Sequence, residues 1–498
     1  MEYGEAIAKA RETVRHIRYF ETMQNLIYCD RFHVCPDGAH AYEDEVDGYV
    51  TELMHGLVAN DDTKALVEYF DGLDADGYES DLDRGVAHFL TKRYKDAMAV
   101  PADIQAAMLA TAADGQRLWI DCVKNDDFES FKPVVERAFG LRKQMAAAID
   151  PDEDPFQVVV GRVDEGLRTD VVDDALARVK ECVMGILERH GDEFAAVDRS
   201  VLSPAEPITR EQVFDFAPKL QNFLKFDFDR GVMYEMHHPN TVLVSPYDSR
   251  PSTNYSTGLR AVQSTIHETG HALYNYNSAP EVIEAGIWGG VEGAMHESQS
   301  RFYENMVGRS YEFWQAFYPS FVESVPQFAD VDLDTFYKAY VCPTPGLLRL
   351  DADELTYALH IVIRWEMERA FFAGELALDE LEDAWNDKYE QYLGVRPSNR
   401  SEGILQDVHW ASGDIGYFQS YTLGDAYAAQ FRAAMLRDVP DAYERLAQGD
   451  IEPINTWVRE HVHACGQMYT VPELIERATG EPFNVQYYID YLTEKFDK

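Results

Sequence analysis

Apolar residues recur at three- and four-residue steps along most of this chain, and this spacing constrains the fold more than any other feature. Such a period places one apolar stripe on each of many helices. Proline, glycine and aspartate residues separate the periodic segments. The segments are 5–25, 40–58, 83–98, 102–123, 128–148, 168–190, 255–275, 291–307, 352–372 and 423–437. The sequence therefore predicts a mainly α protein.

One region breaks this period. Residues 231–235 and 241–245 are short and rich in β-branched and aromatic side chains, and His237-His238-Pro239-Asn240 lies between them. They are predicted to pair as a small antiparallel β-sheet directly before the helix at 255–275. Because no low-complexity linker interrupts the chain, we expect residues 1–498 to form a single large helical domain.

The charge of the chain restricts its partners. It contains 88 Asp and Glu residues against 44 Lys and Arg residues, a formal net charge of −44. Such a surface repels phosphates and anionic lipids, so neither nucleic acid nor a membrane is expected as a partner. Our hypothesis for the acidic excess is a halophilic protein, whose self-repulsion is screened in a salt-rich cytoplasm.

Cysteine spacing and hydropathy indicate a cytoplasmic location. The six cysteines are widely spaced and form no C-x-x-C pair, which is typical of reduced thiols. The N-terminus is charged and has no apolar core like that of a signal peptide. No run of 18 apolar residues occurs, so no membrane span is predicted.

The stretch Ser264–Tyr274, STIHETGHALY, contains the strongest chemical signal. His267 and His271 are one helical turn apart, so their imidazoles can reach one metal ion. Glu268 is rotated about 100° from His267, where it can act as general base towards a metal-activated water. The alternative is an ordinary helix that carries two histidines and no metal.

A metal site of this kind needs a third protein ligand and an open position. Glu297 lies 30 residues after His267, on the next predicted helix, and we expect it to be that ligand. Its neighbour His296 is the rival, since it lies about 100° away on the same helix. Two histidines and one glutamate form the set typical of hydrolytic metallopeptidases.

Several motifs occur in one order along the chain. They are His267–His271 (HETGH), His296–Gln299 (HESQ), Leu348–Asp353 (LRLDAD), Gly403–Trp410 (GILQDVHW) and a C-terminal block that includes Leu474–Pro482 and Tyr488–Leu492. On these motifs the whole chain resembles the carboxypeptidase Taq family of metallocarboxypeptidases. Three positions depart from the family pattern: Ser252 replaces a threonine, Asn240 a phenylalanine and Cys29 a tryptophan.

The resemblance implies a metal-dependent carboxypeptidase of broad specificity that removes single residues from the C-terminus of peptides. It implies one divalent ion per chain, zinc or alternatively cobalt, held by His267, His271 and Glu297. It also implies a homodimer, and a deep groove covered by the N-terminal helices as a lid.

Further site residues follow from the motifs and from the reaction. An arginine suits the terminal carboxylate of a peptide, and Arg349 and Arg250 are the candidates. Both could instead form structural ion pairs, Arg250 with Asp248 and Arg349 with Asp351 or Asp353. The remaining candidates are donors to the oxyanion, His409, Tyr417 and Tyr421, and an orienting residue, Gln406.

Two rival functions remain open. An oligopeptidase or an aminopeptidase would use the same two-histidine, one-glutamate site, and only a carboxypeptidase should fail on a peptide whose C-terminus is blocked as an amide. A non-catalytic peptide-binding protein is the other rival, against which the presence of Glu268 argues.

Overall fold

The computed structural model describes all residues, 1–498. Its α-helices, numbered in chain order, are α1 Tyr3–His33, α2 His40–Val58, α3 Asp61–Asp71, α4 Asp81–Ala99, α5 Ala102–Asn125, α6 Lys132–Ile149, α7 Pro155–Val163, α8 Thr169–Ala195, α9 Arg210–Phe223, α10 Arg260–Tyr276, α11 Pro280–Ala285, α12 Ala294–Arg301, α13 Tyr311–Ser324, α14 Leu333–Val341, α15 Tyr357–Ala373, α16 Leu381–Leu393, α17 His409–Ser412, α18 Gln419–Asp438, α19 Ala442–Leu446, α20 Glu452–His461, α21 Val471–Thr479 and α22 Gln486–Phe496. The mainly α prediction is confirmed. No helix is both long enough and apolar enough to cross a bilayer.

The small sheet has three strands, and it differs from the predicted pair. The strands are β1 Tyr234–Glu235, β2 Thr241–Ser245 and β3 Asp248–Thr253, in the order β1-β3-β2. β3 pairs antiparallel with β2 and parallel with β1. The predicted pairing of 231–235 with 241–245 is therefore wrong, because β3 lies between them. Its sequence, DSRPST, gives a weak strand signal since it is polar and contains proline.

Helix α10 lies at the centre of the molecule. Twelve of its seventeen residues are buried, so it is covered on nearly every side. It packs against β2, β3, α9 and α12, and α12 packs in turn against α18. The apolar core that surrounds α10 contains 93 buried residues, from Cys122 to Phe496. A helix buried in this way holds its polar side chains in fixed positions.

Helices α1, α3 and α4 form an N-terminal layer with their own smaller core. This second cluster contains 15 buried residues and includes residues of α11 and Ile287. Helix α1 is fastened to the main body through Arg18, whose guanidinium donates to the carbonyls of Gly286 and Trp288. Thr22 and Asn25 of α1 donate to backbone carbonyls of β2. The layer therefore adjoins the sheet beside α10.

Candidate metal centre

Two histidines of α10 and one glutamate of α12 converge. The Oε2 atom of Glu297 lies 3.8 Å from Nε2 of His267 and 3.6 Å from Nε2 of His271. The three potential ligand atoms all lie within 4.8 Å of one another. Ligands ~2.0–2.1 Å from a tetrahedral zinc ion are ~3.3 Å apart, so these spacings fit one ion after small adjustments. Glu297 and not its rival His296 joins the two histidines.

Small residues let α12 approach closely enough to deliver Glu297. A Cβ atom on Gly270 of α10 would lie 2.8 Å from the backbone oxygen of Gln299 and 2.9 Å from Cα of Ser300. On the other side, a Cβ atom on Gly424 of α18 would lie 2.8 Å from Cγ of Glu297. Helix α12 is therefore held in a slot between α10 and α18.

Charged groups behind the three converging side chains hold them in place, and sequence reasoning missed these groups. Oε2 of Glu304 lies 2.8 Å from Nδ1 of His267, and Nε of Arg301 donates to Oε1 of Glu297 at 2.7 Å. A bond at Nδ1 leaves Nε2 of the imidazole for a cation. Arg301 and Glu304 follow Glu297 by four and seven residues, and this one-face helical spacing is the signal that could have found them.

The local charges favour a cation. Burial alone would lower the pKa of His267, but the carboxylates of Glu297 and Glu304 outweigh it and raise that pKa to about 9. Burial alone would raise the pKa of Glu304, but Arg301 and His267 lower it to about 2. The pKa of Glu297 is also lowered, against the effect of burial, by Arg301 and His267. The same two carboxylates that raise the pKa of His267 would also attract a divalent ion, and such an ion displaces the imidazole proton when it binds.

Glu268 lies on the same helix and is 6% exposed. Its Oε2 atom accepts a hydrogen bond of 2.7 Å from Oγ1 of Thr241, the first residue of β2. The same hydroxyl lies 2.9 Å from the backbone oxygen of Glu268. Oε1 has no hydrogen-bond partner in the protein, so one oxygen of the carboxylate is anchored and the other is available.

The aromatic candidates lie together at the start of α17 and α18. Nε2 of His409 is 3.1 Å from the hydroxyl of Tyr421, and the rings of Tyr417 and Tyr421 are 5.5 Å apart. Burial lowers the pKa of His409 to about 3, so its imidazole is neutral. Burial and the negative charge of Glu297 raise the pKa of Tyr417, whose hydroxyl makes no hydrogen bond within the protein. These three side chains could donate hydrogen bonds near the metal centre.

Arg349 is buried beside the same cluster. Its Nε and Nη2 atoms donate to Oδ1 of Asp407 at 3.0 and 2.8 Å, and Nη1 donates to the hydroxyl of Tyr357 at 3.1 Å. Arg349 therefore forms an ion pair, but the expected partners Asp351 and Asp353 are wrong, because Asp407 reaches it from the distant segment before α17. Gln406 accepts from the backbone N–H of Arg349 at 2.9 Å and so orients it. Arg364 contributes a second guanidinium to Asp407. The group has one more positive charge than negative.

Arg250 of β3 forms the ion pair that was its alternative assignment. Its Nη2 atom donates to Oδ2 of Asp248 at 2.7 Å, and Nε lies 3.0 Å from both oxygens. Its side chain lines a cavity of about 490 Å³ between α1 and the sheet, beside Cys29 and Tyr234. None of the three converging side chains lines this cavity.

Comparison with known proteins places the chain among peptidases. A family model described as carboxypeptidase Taq (M32) metallopeptidase matches residues 9–496. The chain is 32% identical to Carboxypeptidase 1 of Bacillus subtilis over 492 residues, which is 97% of each protein. It is also 32% identical to Thermostable carboxypeptidase 1 of Pyrococcus furiosus, over 90% of each protein.

Solved structures have the same fold along the whole chain. An M32 carboxypeptidase from Deinococcus radiodurans R1 is similar with a TM-score of 0.93 and 30% identity, over 99% of both chains. The apo-Mg structure of Pyrococcus furiosus carboxypeptidase is similar with a TM-score of 0.94 and 30% identity, over 100% of this chain and 99% of that one.

Proposed function

The chain belongs to the carboxypeptidase Taq (M32) family of metallopeptidases, and we propose that four side chains of α10 and α12 perform its metallocarboxypeptidase chemistry. As a peptide hydrolase of this family it acts on peptides. His267, His271 and Glu297 would hold one divalent ion, and Glu268 would be the general base. The observation that carries the proposal is the convergence of two imidazole Nε2 atoms and one carboxylate within 4.8 Å.

Zinc is the proposed ion. Two nitrogen ligands and one oxygen ligand suit zinc, and catalytic zinc sites keep a fourth coordination position open. Cobalt is the alternative ion. When bound, the ion supplies Lewis-acid chemistry by polarising the scissile carbonyl and acidifying a water molecule.

Glu268 transfers the proton from the attacking water to the leaving amine. Its Oε2 atom is anchored by Thr241, so Oε1 is the atom that takes a proton from the attacking water. The same atom then gives the proton to the leaving amine. Because Glu268 is on the helix that carries both histidines, its position relative to them is fixed by the helix itself.

Neighbouring groups would bind the substrate and the developing charge. Tyr417, whose hydroxyl has no partner in the protein, is the proposed donor to the oxyanion, with Tyr421 and His409 beside it. The excess positive charge of Arg349 and its partners lies against Tyr421, 5.0 Å from the guanidinium carbon to the ring centre. This charge would attract the terminal carboxylate of a peptide of any sequence, which supports broad specificity.

We also propose a lid, a homodimer and a reducing compartment. The lid is supported by a contact of the N-terminal layer beside Thr241, since the hydroxyl of Tyr28 on α1 accepts a hydrogen bond of 3.0 Å from the preceding residue, Asn240. The family resemblance supports the dimer, and an exposed apolar stripe on α2 offers a surface for it: Tyr42, Val46, Tyr49 and Leu53. Six unpaired cysteines support a cytoplasmic location.

Mass spectrometry of digested peptides tests the function. A zinc-loaded enzyme should produce a ladder of single losses from the C-terminus of a test peptide, and N-terminal acetylation should change nothing. The same peptide with a C-terminal amide should remain intact. Cleavage of the amide, or internal fragments, would instead indicate an oligopeptidase, and dependence on a free N-terminus an aminopeptidase.

Replacement of the general base tests the assigned chemistry. Glu268→Gln should abolish turnover while zinc remains bound, because it keeps the size of the side chain but cannot take the proton. Glu281→Gln, an exposed position on α11, is the matched control and should cleave normally. Normal cleavage by the Glu268→Gln enzyme would overturn the mechanism.

A further inference from the structure

One histidine of the site is not among the three converging side chains. Nδ1 of His296 lies 2.7 Å from Nδ1 of His271, on the side of that ring opposite to Glu297. The other nitrogen of His296, Nε2, lies 2.8 Å from Oδ1 of Asn275. Asn275 is one turn after His271 on α10 and is 1% exposed. The three side chains therefore form a continuous line that ends at a nitrogen of the metal site.

The hydrogen bonds along this line have only one consistent direction. The amide oxygen of Asn275 can only accept, so Nε2 of His296 must carry a proton. A neutral imidazole has a single N–H group, so Nδ1 of His296 is unprotonated and accepts from Nδ1–H of His271. Nε2 of His271 is then also unprotonated, and its lone pair faces Glu297.

The opposite amide orientation would block the site. If Nδ2 of Asn275 faced His296, every proton in the line would move and Nε2 of His271 would carry hydrogen. In the structure Nδ2 of Asn275 instead donates to Oγ of Ser249 on β3 at 3.3 Å, and Oδ1 faces His296. Asn275 thus selects which nitrogen of His271 can bind a cation, from two side chains away.

Close packing holds the ring of His296, which lies between Asn275 and His271. A Cβ atom on Gly290 would lie 2.8 Å from Cδ2 of His296, and the ring of Tyr274 is centred 5.3 Å from the His296 ring. His296 therefore has little room to rotate. Its role differs from that of Glu304. Glu304 is a charged hydrogen-bond acceptor for His267, whereas His296 is a neutral acceptor for His271.

We propose that Asn275 and His296 are positioning residues that fix the metal-binding tautomer of His271. The inference rests on the proposed metal site, since it assigns a role to the groups behind one of its ligands. Groups that orient a metal-bound histidine typically change metal affinity 10–100-fold when removed.

Zinc affinity, measured by competition with a chromophoric chelator, tests the proposal without using activity. His296→Leu removes the acceptor and should weaken zinc binding roughly 10–100-fold. His296→Asn offers an amide oxygen close to the place of Nδ1 and should stay close to the unmodified enzyme. Asn275→Leu leaves both rings in place but no longer fixes which nitrogen of His296 carries the proton. Its zinc affinity should therefore lie between those of the two His296 variants.

The control is the other imidazole that packs on Tyr274. His463 is centred 5.2 Å from that ring and bonds to Oε1 of Gln299, but it touches no proposed ligand. His463→Leu should keep its zinc affinity. If it loses as much as His296→Leu, or if His296→Leu and His296→Asn bind equally, the proposal is overturned.

Zinc affinities of the variants distinguish loss of the positioning role from loss of the metal site. If His271→Ala abolishes zinc binding but both His296→Leu and Asn275→Leu bind like the unmodified enzyme, only the positioning role is lost. If His271→Ala itself binds zinc normally, the metal site is wrong. Should His296→Leu fail to fold, as judged by its metal-free unfolding transition, Asn275→Leu decides the question.

Discussion

The hydroxyl of Thr241 is the side-chain donor that anchors the carboxylate of Glu268. Thr241→Val keeps the shape of the side chain but removes this hydrogen bond, so the carboxylate can leave its reactive position. We expect kcat to fall ~10-fold, the effect of losing one hydrogen bond to a charged group. KM and zinc affinity should not change, and steady-state kinetics with a chelator titration would measure all three.

Thr241→Ser is the matched control for this prediction, because it restores the hydroxyl group. Its kcat should return to within a few-fold of the unmodified enzyme. Equal losses in the valine and serine enzymes would mean that packing of the threonine methyl group, rather than its hydrogen bond, supports catalysis.

A second residue-level prediction concerns pH. Burial raises the pKa of Glu368 on α15 to about 7, although the N–H groups of Gly416 and Trp410 oppose this. The folded protein therefore keeps a proton that the unfolded chain releases above its ordinary pKa of 4.5. The free energy of unfolding should fall as pH rises through this window, by up to ~1.4 kcal/mol per pH unit from this one group.

Comparison of two glutamine variants isolates the contribution of Glu368 to the pH dependence of stability. Urea unfolding of the metal-free proteins measures the difference. Between pH 5 and 8, the free energy of unfolding should fall by ~1–3 kcal/mol less in the Glu368→Gln protein than in the unmodified protein. Glu366→Gln, on the same helix, is the control: Lys180 and Lys388 lower the pKa of Glu366 despite its burial, so it should not alter the slope in this range. Identical slopes in all three proteins would contradict the prediction.

Residue spacing along the chain predicted part of the candidate site. The spacing of His267 and His271 follows from helical geometry alone, and Glu297 from its place on the next helix. Glu304 was within reach of the same reasoning, as it lies seven residues after Glu297. Thr241 was not, because its contact with Glu268 depends on how β2 crosses α10, and sequence spacing carries no information about that crossing.

At the level of elements, the slot that holds α12 gives a further prediction. Gly270→Ala places a methyl group against the backbone of α12, so the two helices must move apart. We expect the protein to lose ~1–3 kcal/mol of stability, the usual cost of overpacking, and to bind zinc more weakly because Glu297 moves with its helix. Urea unfolding and chelator competition measure the two effects.

Gly191→Ala is the control within another helix. Gly191 lies in α8, and an added Cβ atom would meet nothing within 4 Å. This change should stabilise the protein by ~0.5–1 kcal/mol, since alanine is the better helix former. A Gly270→Ala protein as stable as this control would show that α10 and α12 do not depend on close contact.

The elements that were predicted correctly are those with a long apolar period. The predicted segment 40–58 coincides with α2, and 102–123 falls within α5, Ala102–Asn125. The helices that were not predicted have 14 residues or fewer, too short for a long apolar period, and two of them, α9 and α13, also contain an internal proline, Pro218 or Pro319. Strand β3 was missed because its partners on both sides, rather than its own residues, make it a strand.

At the level of the whole molecule, the net charge of −44 predicts dependence on salt. Exposed carboxylates repel one another over about 10 Å in 0.1 M salt but only about 3 Å in 1 M salt. The unfolding midpoint should therefore rise by several degrees between 0.1 and 2 M KCl. An equally concentrated neutral osmolyte, which does not screen charge, should give a smaller rise, and full stability in dilute buffer would contradict the screening hypothesis.

The family and the class of the fold were predictable because ordered motifs extend over much of the chain. The division of the apolar core into a cluster of 93 residues and another of 15 was not, since periodicity does not reveal which helices share a core. The lid and the dimer stay predictions.

Anomalous diffraction from zinc-loaded crystals would locate the metal ion itself. We expect one strong peak per chain, ~2.0–2.2 Å from Nε2 of His267, Nε2 of His271 and a carboxylate oxygen of Glu297. The His271→Ala protein should lack that peak. A peak only at the other cluster of potential ligands, Asp30, Cys35 and Glu43, or no peak at all, would contradict a metal site at His267, His271 and Glu297.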